Sequence, residues 1–181
     1  FNKLTGAQVL EKDMLFATLD PTMRLIKLPS GLKVILSDTV GFISDLPTHL
    51  VAAFRATLEE AMEADLIVHV RDIAQPDSEA ERLDVIDVLH SLNLPDDRIA
   101  TAIEALNKID LLTLEERENL VLHDGQISIS ALTGLGLENL LSELERSLLK
   151  GKKEIVLTIP FKEGELIAWI YAHGFVKERI E

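Results

Sequence analysis

The chain alternates short apolar runs with stretches of helical periodicity, and this alternation limits its possible folds more than any other feature. Alternating strands and helices are typical of an α/β sheet whose parallel strands are joined by right-handed crossovers. The apolar runs occur at residues 24–28, 33–37, 66–70, 101–106 and 126–130, and the helical patterns at 48–63, 77–91, 115–120 and 136–149. The sequence therefore predicts an α/β fold with a mostly parallel, doubly wound sheet.

One pair of strands is predicted to be antiparallel. The runs at 24–28 and 33–37 flank Pro29, Ser30 and Gly31. Proline and glycine favour turns, and so short a connection joins antiparallel neighbours. We therefore expect a hairpin here, which makes one edge of the sheet antiparallel.

A polar and basic break at residues 151–153 divides the chain. Beyond it, 154–159 has the pattern of a strand and 163–173 that of a helix. We predict one domain over residues 1–150 and the start of a small α+β domain over 151–181. Because the chain opens at Phe1 and stops where 174–176 suggests a new strand, we expect a fragment of a longer protein.

The charge and composition exclude several classes of function. There are 31 acidic and 18 basic side chains, so a formal charge of −13 repels nucleic acid and no direct DNA binding is expected. A hydrophobic content of 47% is enough for a core, but no apolar run is long enough to span a bilayer. The absence of cysteine fits a reducing compartment, so we expect a cytoplasmic protein.

Ligands of doubly wound sheets bind at the carboxyl ends of the strands, and the first such position holds Asp38 and Gly41. A carboxylate there can hold Mg²⁺ through water. A glycine three residues later lets a backbone N–H approach a terminal phosphate. Taken alone, these two residues are more typical of an ordinary strand-to-loop turn than of a phosphate site.

The second position holds Asn107, Lys108 and Asp110, directly after an apolar run. The Asp110 carboxylate can accept hydrogen bonds from N1 and N2 of guanine, a pair of donors that adenine lacks. The Asn107 amide can bond elsewhere on the ring edge, and the Lys108 stem can cover the ring face. Such a site rejects the wrong base because its carboxylate would be left unpaired. A solvated polar turn is the alternative.

The third position, residues 129–134, includes Ser130 and Ala131, whose backbone N–H groups can meet the guanine carbonyl oxygen. By itself this is a common loop. The order of the three motifs along the chain, each after a strand, is much more specific than any one of them. Together they predict a guanine-nucleotide site.

These motifs resemble those of translation-factor-like GTPases, and their flanks resemble the ribosome-associated HflX family. Residues 15–22 are similar to that family's first switch, 38–47 to its second switch, and 50–60 to the helix that follows. The resemblance covers about residues 1–150. It implies a P-loop NTPase-like fold, with GTP or GDP as ligand and Mg²⁺ as cofactor.

The resemblance also implies roles for individual residues. Thr18 would contact Mg²⁺ and the γ-phosphate, Asp38 would hold the metal through water, and Gly41 would bond the γ-phosphate. The guanine would be held by Asn107, Lys108, Asp110, Ser130 and Ala131. Taken without the family, Thr18 is more typical of a helix cap or a loop.

The chain departs from a complete GTPase in two ways. No segment matches Gly-x-x-x-x-Gly-Lys-Ser/Thr, the loop that binds the β- and γ-phosphates, so we expect the first strand and this loop to be missing and the chain alone to be inactive in hydrolysis. Phe42 occupies the position at which many such enzymes orient water with a glutamine. Because its ring makes no such hydrogen bond, we expect slow intrinsic hydrolysis.

The resemblance implies a GTP-hydrolysing switch that associates with the large ribosomal subunit and acts in ribosome rescue, splitting or recycling. The negative charge argues that upstream sequence makes most of the ribosome contact. The main alternative is a non-catalytic interaction module derived from a GTPase domain, which the missing loop favours. An ATP-using enzyme is disfavoured by Asp110.

Overall fold

The computed structural model describes residues 1–7, 22–38 and 62–180, which form an α/β structure as predicted. The helices are α1 (Asn2–Thr5), α2 (Ser78–Ser91), α3 (Asp96–Ala100), α4 (Leu114–Glu118), α5 (Leu137–Leu148) and α6 (Gly164–His173). The strands are β1 (Thr22–Lys27), β2 (Lys33–Asp38), β3 (Val68–Asp72), β4 (Ile103–Asn107) and β5 (Gln126–Ser128). Of the helix predicted at 48–63, all but the last two residues lie outside the described part.

The described strands form two sheets. Strands β3, β4 and β5 are parallel neighbours in that order, and β1 pairs with β2 in an antiparallel hairpin. The hairpin turn is as predicted: Gly31 has a left-handed φ of 91°, and its N–H donates to the Leu28 carbonyl at 2.8 Å. Among the described strands β2 and β3 do not pair, so the hairpin is a sheet of its own instead of an edge of the parallel sheet.

An apolar core joins the two sheets to α5. Strand periodicity places Ile103 and Ala105 on the same face of β4. Helical periodicity places positions 140 and 144, which are four residues apart, on one face of α5. The buried members of the cluster are Ile26, Leu28, Ile103, Ala105, Ile129, Leu140 and Leu144. Because this core fixes β4 and the start of the loop after β5, it also fixes the strand ends at which ligands bind.

The opposite face of the parallel sheet carries a charged network. The Arg71 side chain is 9% exposed and pairs with Glu104 at 3.0 Å and with Glu79 at 2.8 Å. Gln126 also donates to Glu104, at 2.8 Å. A buried guanidinium needs such partners, since desolvating an unpaired charge is very costly. The network therefore attaches α2, which carries Glu79, to all three parallel strands.

The segment after residue 150 differs in part from the prediction. Helix α6 forms within one residue of the predicted limits, but the strand predicted at 154–159 is absent, as no secondary structure is assigned to these residues. A strand requires a hydrogen-bonded neighbour, and none of the described strands pairs with this segment. No helix in the described ranges combines the length and apolarity needed to cross a membrane.

Candidate functional site

The parallel strands end at one edge of the sheet, where the polar residues that follow them lie close together. Asp72 ends β3 and Asn107 ends β4, and the two are paired in register. Strand β5 ends at Ser128, two residues before Ser130. Since ligands of parallel α/β sheets bind at this edge, it is the candidate site.

Asn107 holds two of the loops together. Its side-chain oxygen Oδ1 accepts the backbone N–H of Ala131 at 2.9 Å. Nearby, the N–H of Ile109 donates to the Ile129 carbonyl at 3.3 Å, and the N–H of Ile129 donates to the Leu106 carbonyl at 2.8 Å. Because the Asn107 amide oxygen is bonded within the protein, the group that Asn107 can offer to a ligand is its amide NH₂.

Lys108 reaches from β4 to the neighbouring strand. Its backbone is left-handed, with φ 67°, which is uncommon for a residue with a side chain. Its ammonium Nζ lies 2.6 Å from Oδ2 of Asp72, and the side chains are 48% and 20% exposed respectively. The Lys108 side chain therefore reaches from the end of β4 to the end of β3. It is held at its backbone by the left-handed conformation and at its ammonium by Asp72.

Asp110 lies in the turn of 3₁₀ helix Ile109–Leu111 that follows Lys108. Its Oδ1 is buried and has no hydrogen-bond partner among the described residues. The residue lines an open cavity of about 640 Å³ together with Arg117, Thr133 and Leu135. A buried carboxylate oxygen without a donor costs free energy, so this oxygen can gain from a ligand that supplies an N–H.

A short helix cap fixes the loop on the far side of Asp110. The Thr113 hydroxyl accepts the Glu116 N–H at 3.3 Å, and the Glu116 carboxylate accepts the Thr113 N–H at 2.7 Å, which is a capping box. The Thr113 hydroxyl also donates to the Glu116 carboxylate at 2.8 Å, and the two bonds that this carboxylate accepts, from the Thr113 N–H and hydroxyl, lower the pKa of Glu116. The cap begins α4, from which Arg117 donates to the carbonyl of Asp110 at 2.8 Å and to that of Leu112 at 3.1 Å.

Ser130 shapes the third loop from inside. It is fully buried, and its hydroxyl accepts the Thr133 N–H at 3.0 Å. Its own N–H donates to the Leu135 carbonyl, and its carbonyl accepts the Gly134 N–H, both at 2.8 Å. The N–H groups of Ser130 and Ala131, both predicted to face a ligand, are thus bonded within the protein. A ligand oxygen would have to share or replace one of these bonds.

Of the remaining predicted residues, one lies in the other sheet and three lie outside the described part. Asp38 ends β2, in the other sheet, and is partly buried. Burial raises the pKa of Asp38, and the N-terminal amino group opposes this shift. Thr18, Gly41 and Phe42 lie outside the described residues. Within the described ranges, no three acidic or histidine side chains are grouped as ligands for a metal ion.

Two residues of the site were missed in the sequence. Asp72 follows the apolar run at 66–70 just as Asp38 follows its own strand, so its position at a strand end was a usable signal. Arg117 had no comparable signal. Its role depends on the turn between β4 and α4, which brings the guanidinium back to the Asp110 carbonyl.

Comparison with known families gives two matches along the chain. Residues 1–108 match the family described as 50S ribosome-binding GTPase, and residues 116–181 match the HflX C-terminal domain. A Magnetococcus marinus protein named GTPase HflX is 43% identical over 98% of this chain. A protein of the same name from Caldanaerobacter subterraneus is 42% identical, also over 98%. The chain spans 41% and 40% of the length of these two relatives.

Solved structures also resemble the chain. A GTP-binding protein from the archaeon Sulfolobus solfataricus, crystallised in complex with GDP, superposes with a TM-score of 0.62 at 25% sequence identity. The match covers 82% of this chain and 47% of that one. The apo cytosolic domain of the FeoB iron transporter from T. maritima matches 97% of the chain with a TM-score of 0.55 at 18% identity, which supports the fold alone.

Proposed function

The chain belongs to the HflX family of GTPases, and from this premise we propose that the loops after β4 and β5 hold the guanine base of GTP and GDP. The observation that carries the proposal is the buried Asp110 Oδ1, which lacks a donor among the described residues and lines an open cavity. Guanine supplies the missing donors through N1 and N2. Adenine has an acceptor at N1 and no N2, so it would leave the carboxylate unpaired.

The other residues of the cluster have complementary roles in the proposal. The Asn107 amide NH₂ donates to the ring edge, and the stem of Lys108 covers one face of the base. The backbone N–H groups of Ser130 and Ala131 lie near the guanine carbonyl oxygen, which shares or replaces one of the bonds that they make within the protein. The bond from Ala131 to Asn107 supports this arrangement, because it keeps the two loops at a fixed separation before a ligand arrives.

We also propose that Thr18, Asp38 and Gly41 contact the phosphate end of the nucleotide. Thr18 and Asp38 would hold Mg²⁺, with Asp38 acting through water, and Gly41 would bond the γ-phosphate. Asp38 suits this role, because Mg²⁺ prefers carboxylate and water oxygens and a cation would stabilise a carboxylate whose pKa burial raises. When bound, Mg²⁺ would neutralise charge on the phosphate oxygens.

The whole protein, in this proposal, is a GTP-hydrolysing switch of the cytoplasm. Residues 1–150 form its GTPase domain without the first strand and phosphate-binding loop, and 151–181 begin a small C-terminal domain. The chain alone would be inactive in hydrolysis, because no Gly-x-x-x-x-Gly-Lys-Ser/Thr segment occurs in it. Phe42 would make hydrolysis slow without a partner.

The proposed partner of the whole protein is the large ribosomal subunit, and the proposed role is ribosome rescue, splitting or recycling. The matching family, whose description names the 50S ribosome, supports this partner. The two switch loops, at about residues 9–24 and 38–47, would be ordered by the γ-phosphate and Mg²⁺ and relax after hydrolysis, and so alter affinity for the ribosome. The alternative is a non-catalytic interaction module, which the missing phosphate-binding motif favours.

A competition titration tests the proposal. Fluorescent GDP is bound to the chain and to the complete gene product that contains it, then displaced by GTP or ATP, with and without Mg²⁺. Displacement by GTP and not by ATP is expected. Asp97→Asn, which removes one exposed charge on α3, serves as the control and should leave both results unchanged. Equal displacement by ATP, or no binding by the complete gene product, would favour the interaction module.

A further inference from the structure

We propose that Asp72 is a positioning residue for the nucleotide site, which holds the Lys108 stem in place to cover the base. The inference rests on the proposed guanine site and adds to it a residue from β3. Asp72 acts through Lys108 and makes no contact with the base itself. It determines how tightly a purine is held, while Asp110 determines which purine is chosen.

The backbone holds the Asp72 carboxylate in a defined position. Asp72 pairs in register with Asn107, and the N–H of Ile73 donates to the Asn107 carbonyl at 3.2 Å. One carboxylate oxygen, Oδ1, accepts the N–H of Ala74 at 3.1 Å. The other, Oδ2, faces the Lys108 ammonium at 2.6 Å. The turn after β3 thus orients the side chain, and the orientation presents one oxygen to the lysine.

This ion pair matters because a lysine side chain is flexible. Its four methylene groups lose considerable conformational entropy when a ligand fixes them. In this site Asp72 restricts the Lys108 side chain before the nucleotide binds, so less entropy remains to be lost. The left-handed backbone of Lys108 adds to this, since it fixes the direction in which the stem leaves β4. The pair therefore preorganises one wall of the base site.

The stem contacts the face of the base, and this contact is common to all purines. Loss of the anchor should therefore weaken guanine and hypoxanthine nucleotides by the same factor. Asp110, in contrast, recognises N2 and so separates the two bases. This difference distinguishes a positioning role from a role in base recognition.

Asp72→Asn is a selective test, because asparagine keeps an oxygen that can accept the Ala74 N–H while it loses the charge that pairs with Lys108. We expect the variant of the complete gene product to bind GDP and IDP about fivefold more weakly, the order of effect of a partly exposed ion pair. Asp72→Glu retains the charge on a longer arm and should restore part of the affinity. Asp97→Asn is the matched control for loss of one acidic charge.

A double-mutant cycle with Lys108→Met tests whether Asp72 affects nucleotide affinity through Lys108. Methionine keeps an apolar stem without the ammonium, so the single variant should also lose about fivefold in affinity for GDP. Because Asp72 acts through Lys108, Asp72→Asn should cause no further loss in the Lys108→Met background. An equal loss in both backgrounds, or wild-type affinity of Asp72→Asn, would overturn the inference.

Two further outcomes separate this inference from the function on which it rests. If the wild-type protein fails to prefer GDP over ADP, the guanine site itself is wrong. If it prefers GDP and Asp72→Asn binds as tightly as wild type, only the positioning role is wrong. Thermal unfolding identifies a variant that does not fold. If Asp72→Asn does not fold, the affinity of Lys108→Met for GDP tests the inference instead. Wild-type affinity in Lys108→Met would show that the pairing of the ammonium with Asp72 has no effect on binding.

Discussion

Asp110 combines two properties that are rarely found together in a residue whose role is purely structural. Its backbone carbonyl is held by Arg117 at 2.8 Å, so the main chain is fixed, while its buried Oδ1 has no donor in the described part of the protein. A fixed main chain with an unsatisfied side-chain oxygen is the arrangement expected of a binding residue. The unsatisfied oxygen lowers the stability of the free protein, and a ligand that supplies an N–H removes this free-energy cost.

Asp110→Asn should therefore change which base is bound without unfolding the protein. An asparagine amide can donate to the C2 carbonyl of xanthine but repels the N2 donor of guanine. We expect GDP affinity to fall by roughly ten- to a hundredfold and XDP affinity to rise, measured by displacement of fluorescent nucleotides. The thermal unfolding midpoint should stay constant or rise, because the substitution removes a carboxylate whose buried Oδ1 has no donor among the described residues. Unchanged GDP affinity would show that Asp110 does not read the base.

Single residues also show what the sequence could and could not reveal. Asn107 and Ala131 were both predicted as site residues because each follows a strand. That the Asn107 oxygen would bind the Ala131 N–H was not predictable, since this bond depends on β4 and β5 being neighbours. That Asp72 would pair with Lys108 was not predictable for the same reason. Its partner Lys108 is 36 positions away in the chain and becomes adjacent only through strand pairing.

The connection between β5 and α5 depends on a close approach of two backbones. Gly136, the residue before α5, has a φ of 76°, and a Cβ there would lie 2.2 Å from the Ser128 carbonyl oxygen. Both the conformation and the space therefore require glycine. Gly134, with φ 91°, has a similar conformation, but a Cβ there meets no atom within 4 Å. The two glycines form a natural pair for comparison.

Gly136→Ala should destabilise the protein by more than about 2 kcal/mol, because the clash is with backbone and cannot be relieved by a side chain. Gly134→Ala should cost about 1–2 kcal/mol, the strain of a left-handed conformation alone. Urea denaturation of the two variants and the wild type measures the difference. Equal costs would mean that the loop between β5 and α5 moves to accommodate the added carbon.

The boundaries of β3 show why an apolar run indicates that a strand is present but does not give the residue at which the strand ends. The run at 66–70 ends at Val70, whereas β3 continues to Asp72 because Arg71 and Asp72 still pair with β4. Arg71 remains in a buried position through its ion pairs with Glu104 and Glu79. A hydrophobic pattern records which side chains are buried by apolar contact. It gives no information about backbone pairing or about charges buried as pairs.

At the scale of the whole molecule, the α/β class followed from the alternation of strands and helices. What the pattern did not predict is that the hairpin forms its own sheet in the described part, connected to the parallel strands through side chains. Ile26 and Leu28 share one buried apolar cluster with Ile103, Ala105 and α5, while the described strands of the two sheets do not pair with each other. Which sheet a strand joins depends on which neighbouring strand it hydrogen-bonds to, and a short apolar run does not indicate that neighbour.

The molecule also contains a titratable group that should make its stability depend on pH. His69 lies on β3, in register with Glu104 and near Arg71 and Arg82. Burial is the main cause that lowers the pKa of His69 below its ordinary value of 6.5; the two arginines lower it further and Glu104 opposes them. The unfolded chain therefore binds a proton at a pH where the folded protein does not. The contribution of the neutral His69 ring to the free energy of unfolding should be fully present above the pKa of the unfolded chain. It should decrease as the pH falls below that value.

His69→Gln tests this sign directly. The free energy of unfolding, measured with urea between about pH 5.5 and 7.5, should rise with pH in the wild type and rise less steeply in the variant, because glutamine cannot take up the proton that favours unfolding. His123→Gln removes a histidine from an exposed position and serves as the control. If wild type and His69→Gln have the same slope, the proton is taken up equally in both states, and the charged network around Glu104 compensates fully for the burial of the ring.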